Sequence, residues 1–300
     1  MSRITLQRER PRIKTNYPAF VVLLGLAIVV FGISMIFQAW TAGYSGRVSA
    51  VTFALFGIDL VLVGMIFSLG AFRGILLRHR KETFSGKETW RFDNRWNPKW
   101  AKDSTGSRIL GNISGLVIVV IFILPFHSMA SQLDVPSDMR VAILIFIGML
   151  DLFLLAMFGV TVYLVLRRVV FGRSQLIFYQ FPYFTGQKAQ FTFNGGKRMV
   201  DREGIKGILH CINEYYEWRT CGGKQVGSMI IESLWSKECV FSTNNLGCAE
   251  LFIDLPNDLP GTDLIGDPGK QSAYYWELEV VASMPGIDYN EIFLVPIYKK

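Results

Sequence analysis

The segment YPAFVVLLGLAIVVFGISMIF, from Tyr17 to Phe37, runs for 21 residues without a charged side chain. Three further stretches are nearly as apolar: Val51–Phe72, Ile109–His127 and Val141–Leu166. About 20 apolar residues, at roughly 1.5 Å of helix per residue, cross the ~30 Å hydrocarbon core of a bilayer. The sequence therefore predicts four transmembrane helices. The first stretch is too long for a cleaved signal peptide and lacks a small-residue cleavage site.

Composition agrees with a membrane protein and argues against nucleic-acid binding. Apolar residues make up 51% of the chain and charged residues 18%, against about 25% in a typical soluble protein. The formal charge is +7, but residues 167–300 hold 14 basic and 15 acidic residues, so the excess lies within residues 1–166. A nucleic-acid-binding domain needs a basic surface of its own, which this balanced C-terminal region does not predict.

Basic residues alternate between the segments that flank the four stretches. The N-terminal tail, residues 1–16, holds five, and the second connection, residues 73–108, holds ten. The connections 38–50 and 128–140 hold one each, Arg47 and Arg140. Basic residues accumulate on the cytoplasmic side of short loops. We therefore predict that both termini and the second connection are cytoplasmic, and that residues 17–166 form a transmembrane domain.

The second connection carries three tryptophans within eleven residues, interleaved with basic side chains. Trp rings prefer the headgroup level of a bilayer, and neighbouring cations meet the anionic cytoplasmic leaflet. The pattern predicts a membrane-interface anchor that packs beside the C-terminal domain. A specific site for a lipid headgroup or a partner protein is the alternative. The residues concerned are Trp90, Trp96, Trp100, Arg91, Arg95 and Lys99.

Residues 167–300 change from long apolar stretches to short ones separated by Gly, Pro and Asn. Trp276, Leu278 and Val280 alternate with Glu277 and Glu279, as in a strand with one face on a core and one in water. Such short strands predict a cytoplasmic antiparallel β-sandwich. We expect strands at Gln175–Gln180, Lys188–Phe193, Ile205–Tyr215, Ser228–Ser233, Glu250–Leu255, Tyr274–Ala282 and Ile292–Tyr298.

All four cysteines lie in this C-terminal region, which the charge pattern assigns to the reducing cytosol, so we expect free thiols. Cys211, Cys221, Cys239 and Cys248 have 9, 17 and 8 residues between them and match no CxxC pattern. A four-thiolate zinc site is the looser alternative.

Several motifs resemble those of a family of bacterial inner-membrane proteins of unknown function. They are Lys87–Trp100, the Arg167-Arg168-Val-Val-Phe-Gly172 junction, Ile208-Leu-His-Cys211, and Tyr275-Trp276-Glu-Leu-Glu-Val280 continuing to Pro285-Gly286-Ile-Asp288 and Phe293-Leu-Val-Pro296. The resemblance runs from about residue 15 to the end. It implies four spans in a bacterial inner (plasma) membrane, a cytoplasmic β-domain and no defined catalytic residue. The same ending resembles arrestin-like sandwiches, which usually bind proteins.

Catalytic motifs are absent from the sequence. It contains no Walker A, G-x-G-x-x-G, H-E-x-x-H or G-x-S-x-G pattern. His79, His127 and His210 fall in three separate regions, which argues against a three-histidine metal site. We therefore predict no catalytic residues, no metal, no cofactor and no enzymatic activity.

Two carboxylates interrupt the second and fourth apolar stretches. Asp59 and Asp151 lie about eight and ten residues into their spans, so at roughly 1.5 Å per residue both are some 12–15 Å deep, a common depth that allows them to face each other. An acidic side chain at mid-bilayer costs about 2.5–3.5 kcal/mol on insertion scales. Either each is protonated and hydrogen-bonded to a hydroxyl or backbone group of a neighbouring helix, or the two form a proton relay or ion site.

Glycines recur at seven- or eight-residue spacings in three of the spans, as expected where helix backbones approach closely. They are Gly25, Gly32, Gly57, Gly64, Gly148 and Gly159, with Ala156. We expect a compact four-helix bundle, and a homo-oligomeric contact through the first span is left open.

Together these features predict a membrane-anchored binding or scaffold protein whose β-domain docks another protein. The alternative is a transporter or proton-coupled accessory subunit that uses Asp59 and Asp151.

Overall fold

The computed structural model describes residues 4–5, 19–41, 50–83, 90–93, 96–132, 137–221, 224–264 and 272–300. The chain divides into two compact units. One, the β-unit, combines Leu77–Gly106 with Arg167–Lys300 and includes the short N-terminal strand. The other, the helical unit, comprises Asn16–Leu76 and Ser107–Leu166. Both units are therefore built from segments that are discontinuous in sequence.

The helices are α1 (Ala19–Thr41), α2 (Ala50–Thr83), α3 (Trp90–Asp93), α4 (Thr105–Gln132) and α5 (Ser137–Phe171). Within them, four stretches are long and apolar enough to cross a membrane: Phe20–Thr41, Thr52–Phe72, Thr105–His127 and Val141–Phe171. These confirm the prediction of four long apolar helices. All four helices extend past the predicted ends of their spans, and α2, which continues to Thr83, extends furthest.

Glycines bring α1 and α2 into backbone contact within the helical unit. A Cβ built on Gly32 would lie 2.6 Å from the Gly57 carbonyl oxygen, and one on Gly64 would lie 2.6 Å from that of Gly25. Such distances leave no room for any side chain. By contrast, a Cβ on Gly148 would lie within 4 Å of no atom in the described part of the chain. The sequence prediction of close packing therefore holds for the glycines of α1 and α2 and is wrong for Gly148, and equally for Gly159.

The β-unit contains antiparallel sheets, as predicted. Its strands are β1 (Ile4–Thr5), β2 (Trp100–Lys102), β3 (Gln175–Phe178), β4 (Tyr183–Phe184), β5 (Lys188–Asn194), β6 (Ile205–Cys221), β7 (Lys224–Phe241), β8 (Cys248–Asp254), β9 (Ser272–Ala282), β10 (Tyr289–Val295) and β11 (Ile297–Tyr298). A five-stranded sheet has the order β1-β7-β6-β9-β10, and a four-stranded sheet has the order β2-β3-β5-β8. The pair β11-β4 is parallel, which the all-antiparallel expectation missed.

The two larger sheets contribute to one hydrophobic core. Alternate residues of each strand point into it, among them Phe191 of the four-stranded sheet and Leu209, Trp276 and Phe293 of the five-stranded sheet. All four side chains are fully buried. Two-residue periodicity accounts for this, because a strand with one apolar face buries every second side chain.

The β6–β7 hairpin is much longer than the sequence indicated. Its strands pair from Ile205↔Phe241 to Cys221↔Lys224, with a register shift between Cys211 and Ile212. The predicted strands Ile205–Tyr215 and Ser228–Ser233 are parts of these two. Polar residues such as Glu217 and Thr220 in β6, and Lys237 and Glu238 in β7, lie beyond the predicted ends, so the apolar pattern did not extend to these parts of the strands.

Candidate functional site

Asp59, one of the two intramembrane candidates, is buried inside the helical unit. Its residue exposure is 4%, and neither Oδ1 nor Oδ2 has a hydrogen-bond partner among the described residues. A buried carboxyl group without a partner is costly in an apolar surrounding. That Asp59 exchanges a proton or binds a cation stays a prediction.

Asp151, the second candidate, has a different partner from the one expected. Its Oδ1 lies 3.1 Å from His127 Nε2 on α4. Both side chains are about half exposed, at 47% for Asp151 and 49% for His127. Asp59 makes no hydrogen bond to any described residue, so no hydrogen bond joins the two aspartates, and a proton relay or ion site formed by them stays a prediction. The depth of each aspartate could be predicted from its position along the span, but the direction in which its helix faces could not.

The tryptophans of the second connection contact the β-unit. Trp96 Nε1 donates a hydrogen bond to the hydroxyl oxygen of Tyr298 at 2.9 Å. The Trp90 ring packs edge-on against Phe184 and Tyr298, with ring centroids 6.2 and 6.0 Å apart. Trp100 lies in β2, opposite Ile177 of β3. The predicted packing beside the C-terminal domain thus has a direct structural counterpart.

The structure describes the basic residues of the same connection less completely than the tryptophans. Arg91 and Lys99 are exposed, and Arg95 lies outside the described residues. Lys102, which was not singled out from sequence, sits with its Nζ 4.4 Å from the centroid of the Trp100 ring. That these side chains anchor the chain at a membrane interface stays a prediction.

A buried cluster of charged groups joins segments of the β-unit that are distant in sequence. Arg168 Nη1 donates to both carboxylate oxygens of Asp103, at 2.7 and 2.6 Å, and Asp103 Oδ2 also accepts from the Ser174 amide at 2.8 Å. Arg167 Nη2 lies 3.1 Å from Glu291 Oε1, which Thr105 also contacts. Every charged side chain named in this cluster is paired with an opposite charge. We therefore expect the cluster to stabilise the β-unit rather than to take part in catalysis.

Sequence reasoning missed this cluster, although one signal was present. Arg167 and Arg168 were noted only as part of the junction motif that follows the fourth apolar stretch. Glu291, however, lies two residues from both Tyr289 and Phe293, so strand periodicity places it on the same, core-facing side of β10. A buried carboxylate needs a partner of opposite charge. The neighbouring arginines Arg167 and Arg168 were candidates for that partner.

His210 forms a second polar group on the face of the five-stranded sheet away from the main core. Its Nδ1 lies 3.4 Å from Ser233 Oγ, and its Nε2 lies 3.6 Å from Glu279 Oε2. The order serine, histidine, carboxylate superficially matches a hydrolytic triad. The Ser233 hydroxyl nevertheless donates to the Trp235 carbonyl oxygen at 3.1 Å, and its distance to His210 is long for proton transfer. The arrangement favours a structural role.

Strand β8 is an edge of the four-stranded sheet in the described part of the chain. Its inward residues Ala249, Leu251 and Ile253 are buried. On its outer face, Glu250 and Asp254 are exposed and flank Phe252, which is 50% exposed. Lys188 Nζ lies 5.3 Å from the Phe252 ring, and Lys237 Nζ lies 3.5 Å from Asp254 Oδ2. We call Cys248–Asp254 the β8 edge.

The described cysteines are free thiols in different surroundings. Cys211 is buried, whereas Cys239 and Cys248 are of intermediate exposure. Burial raises the pKa of the Cys211 thiol to about 12 and also raises that of Cys239. Cys221 lies among residues whose side chains are not described. Among the residues that the structure does describe, no three His, Cys, Asp or Glu side chains gather as metal ligands would.

We expect iodoacetamide at pH 8 to modify Cys248 well before Cys211. Alkylation needs the thiolate, and a pKa of about 12 leaves roughly one Cys211 in ten thousand ionised at that pH. The measurement is peptide mass spectrometry of the native protein, with a urea-unfolded sample as the control in which both cysteines react. Equal rates for the two thiols in the native protein would contradict the buried position of Cys211.

Comparison with known proteins gives little beyond these observations. No protein-family model and no curated protein matches the sequence. Among solved structures, the crystal structure of Spo0M, a sporulation control protein from Bacillus subtilis, matches 42% of this chain at 15% sequence identity and a TM-score of 0.28. The match spans about half of that protein, 49% of its chain. A TM-score this low does not establish a shared fold.

Proposed function

We propose that this chain is a membrane-anchored binding protein. Its four apolar helices cross a bacterial inner membrane with both termini in the cytoplasm, and its β-unit is an arrestin-like sandwich that docks another protein. Three observations support the proposal: the length and composition of the helices, the basic residues of the tail and second connection, and a β-unit with a core of its own.

The observation that carries the binding role is the β8 edge. A seven-residue strand at the border of a sheet presents backbone groups that can pair with another chain. Here its outer face also carries an exposed aromatic ring between two carboxylates. A surface of this kind supports recognition of a polypeptide better than it supports catalysis, because it offers backbone pairing and side-chain pockets rather than an activated group.

The membrane topology is tested by cysteine labelling in intact cells. In a variant whose four native cysteines are replaced by serine, a cysteine introduced at Ser45 should react with a membrane-impermeant maleimide. A cysteine introduced at Leu246, which is 73% exposed in the β-unit, should react only after the cells are permeabilised. The reverse labelling pattern would overturn the orientation, and labelling of neither site in permeabilised cells would show that the protein is not inserted as proposed.

The binding role is tested by photo-crosslinking in native membranes. A photoreactive amino acid is placed in turn at three exposed positions of the β-unit, Tyr179, Val240 and Phe252. A binding protein should give a discrete crosslinked adduct of defined mass from at least one position. If none of the three forms an adduct that survives washing with high salt, the proposed function is wrong.

Transport or proton coupling is a second candidate, supported by Asp59. Its carboxyl group is buried, and its oxygens have no hydrogen-bond partner among the described residues, as in a site that exchanges a proton or cation. The test is proton flux in proteoliposomes, comparing wild type with Asp59→Asn and Asp151→Asn. Flux that disappears in Asp59→Asn would favour this candidate over a purely anchoring role for the helices.

A further inference from the structure

We infer that the β8 edge binds its partner by strand addition, and that the partner is an extended peptide with an apolar side chain opposite Phe252 and a basic one opposite Glu250. This inference rests on the proposed binding function and specifies the surface and chemistry of the contact. It depends on three features: the direction of the backbone groups, the exposure of the outer face, and the distribution of charge along it.

Backbone direction follows from the pairing of β8 with β5. The Leu255 amide donates to the Gln187 carbonyl oxygen at 2.9 Å, so the backbone N–H of Leu255 points toward β5. In an antiparallel pair, successive residues alternate between pointing toward the partner strand and away from it. The backbone N–H and C=O groups of Ile253, Leu251 and Ala249 therefore form the hydrogen bonds with β5. The backbone groups of Glu250, Phe252 and Asp254 point outward, away from the sheet.

These three outward residues form no backbone hydrogen bond with another described segment. Cys248, the next outward residue, is already occupied, because its carbonyl oxygen accepts from the Asn244 amide at 2.9 Å. The open part of the edge therefore runs from Glu250 to Asp254. An added strand would satisfy this row of donors and acceptors, which is the usual basis of peptide recognition at a sheet edge.

The outer face decides which side chains fit. Phe252 is half exposed, so an apolar residue opposite it would remove both side chains from water. Asp254 already has Lys237 at 3.5 Å and Lys188 directly across the sheet. Glu250 instead lies across from Thr192, and no described residue forms an ion pair with it. On this face, the charge without an opposite charge among the described residues is therefore the negative charge of Glu250, which lies two residues from Phe252.

An added strand with alternating basic and apolar residues complements this pattern. Residues two apart on a strand share a face, so a basic residue opposite Glu250 places the second residue from it opposite Phe252. Opposite charges in direct cross-strand positions are favourable, and like charges there are unfavourable. The same charges would oppose pairing of two copies of β8, which keeps the edge free for another chain.

The test uses the full-length protein in nanodiscs and three fluorescent seven-residue peptides. The first places lysine and tyrosine at alternate positions with valine and threonine between them. The second replaces each lysine by glutamate, and the third replaces the central residues of the first by proline. We expect the first peptide to bind at least tenfold more tightly than either of the others, since the second repels Glu250 and the third cannot donate backbone hydrogen bonds.

Two variants separate side-chain charge from backbone pairing. Glu250→Lys should reverse the preference, so that the glutamate peptide binds more tightly than the lysine peptide. Glu250 is exposed, so this substitution should leave the fold intact. Phe252→Pro removes an amide that points away from β5, so it should keep the sheet while weakening the first peptide at least tenfold. The thermal unfolding midpoint of each variant, compared with wild type, shows that the fold is retained.

The outcomes distinguish this inference from the proposed function. Equal binding of all three peptides, or an unchanged preference in Glu250→Lys, would overturn strand addition at β8. Photo-crosslinks that form at Tyr179 or Val240 but never at Phe252 would also overturn it, while leaving the binding function intact. Absence of crosslinks at all three positions would instead remove the function on which the inference rests.

Discussion

Trp276→Ala should unfold the β-unit without preventing membrane insertion. Trp276 is fully buried, its Nε1 donates to the Pro260 carbonyl oxygen at 2.9 Å, and its ring lies 5.6 Å from that of Trp235. Removing a buried Trp typically costs about 3–5 kcal/mol, a large part of the ~5–15 kcal/mol stability of a whole domain. Limited proteolysis of the variant in membranes should therefore degrade the β-unit at temperatures where wild type resists.

Tyr179→Ala is the matched control for this experiment. Tyr179 is also aromatic and belongs to the same unit, but it is 63% exposed, and exposed substitutions usually change stability by less than ~0.5 kcal/mol. Its β-unit should resist protease as wild type does. If Trp276→Ala is equally resistant and loses only partner binding, Trp276 is a recognition residue and its assignment to the core is wrong.

Gly32→Leu should destabilise the helical unit by forcing α1 away from α2. The position where a Cβ would stand is 2.6 Å from the Gly57 carbonyl oxygen and 2.9 Å from the Val61 amide nitrogen, both backbone atoms that cannot rotate aside. Overpacking of this kind costs roughly 1–3 kcal/mol even in adaptable cores. We expect a lower fraction of monodisperse protein after heating in detergent, and a larger loss when Gly64→Leu is combined with it.

Gly148→Leu provides the control at a helical glycine with open space around it. A Cβ at Gly148 would have no atom of a described residue within 4 Å, so the added side chain should be tolerated. Both substitutions add the same apolar volume and the same helix propensity, which leaves the α1–α2 contact as the difference. Equal heat sensitivity of the two variants would show that the glycines of α1 and α2 do not set the helix spacing.

Local patterns were sufficient to predict the main elements of the fold. Length and apolar composition gave the four helices, and two-residue alternation gave the strand Ser272–Ala282 almost to its ends. Strand β2 was missed, because Trp100–Lys102 pairs with Ile177–Gln175, far along the chain. Three residues with no alternation carry no local signal, and only the partner strand makes them a strand. The parallel pair β11-β4 was missed for the same reason.

The candidate sites were predictable in residue type but not in partner. Asp59 and Asp151 stood out because charge is rare within apolar stretches, yet the facing direction of a helix that is apolar all round cannot be read from periodicity. Asp151 therefore has His127 as an unforeseen neighbour. The β8 edge was predicted as a strand only. Its place at the border of the sheet depends on which strands pair, and that is a property of the whole topology.

The origin of β2 in the connection between α2 and α4 has a consequence for biosynthesis. The ribosome makes Trp100–Lys102 and Asp103 well before Gln175–Phe178 and Arg168, their partners in the finished β-unit. The segment of residues 100–103 therefore has no pairing partner until α4 and α5 have been synthesised. A gene fragment that begins at residue 167 would encode most of the strands but leave β3 with a bare edge and Arg168 without its carboxylate. The complete β-unit therefore requires the segment synthesised before α4 and α5 as well as the segment synthesised after them.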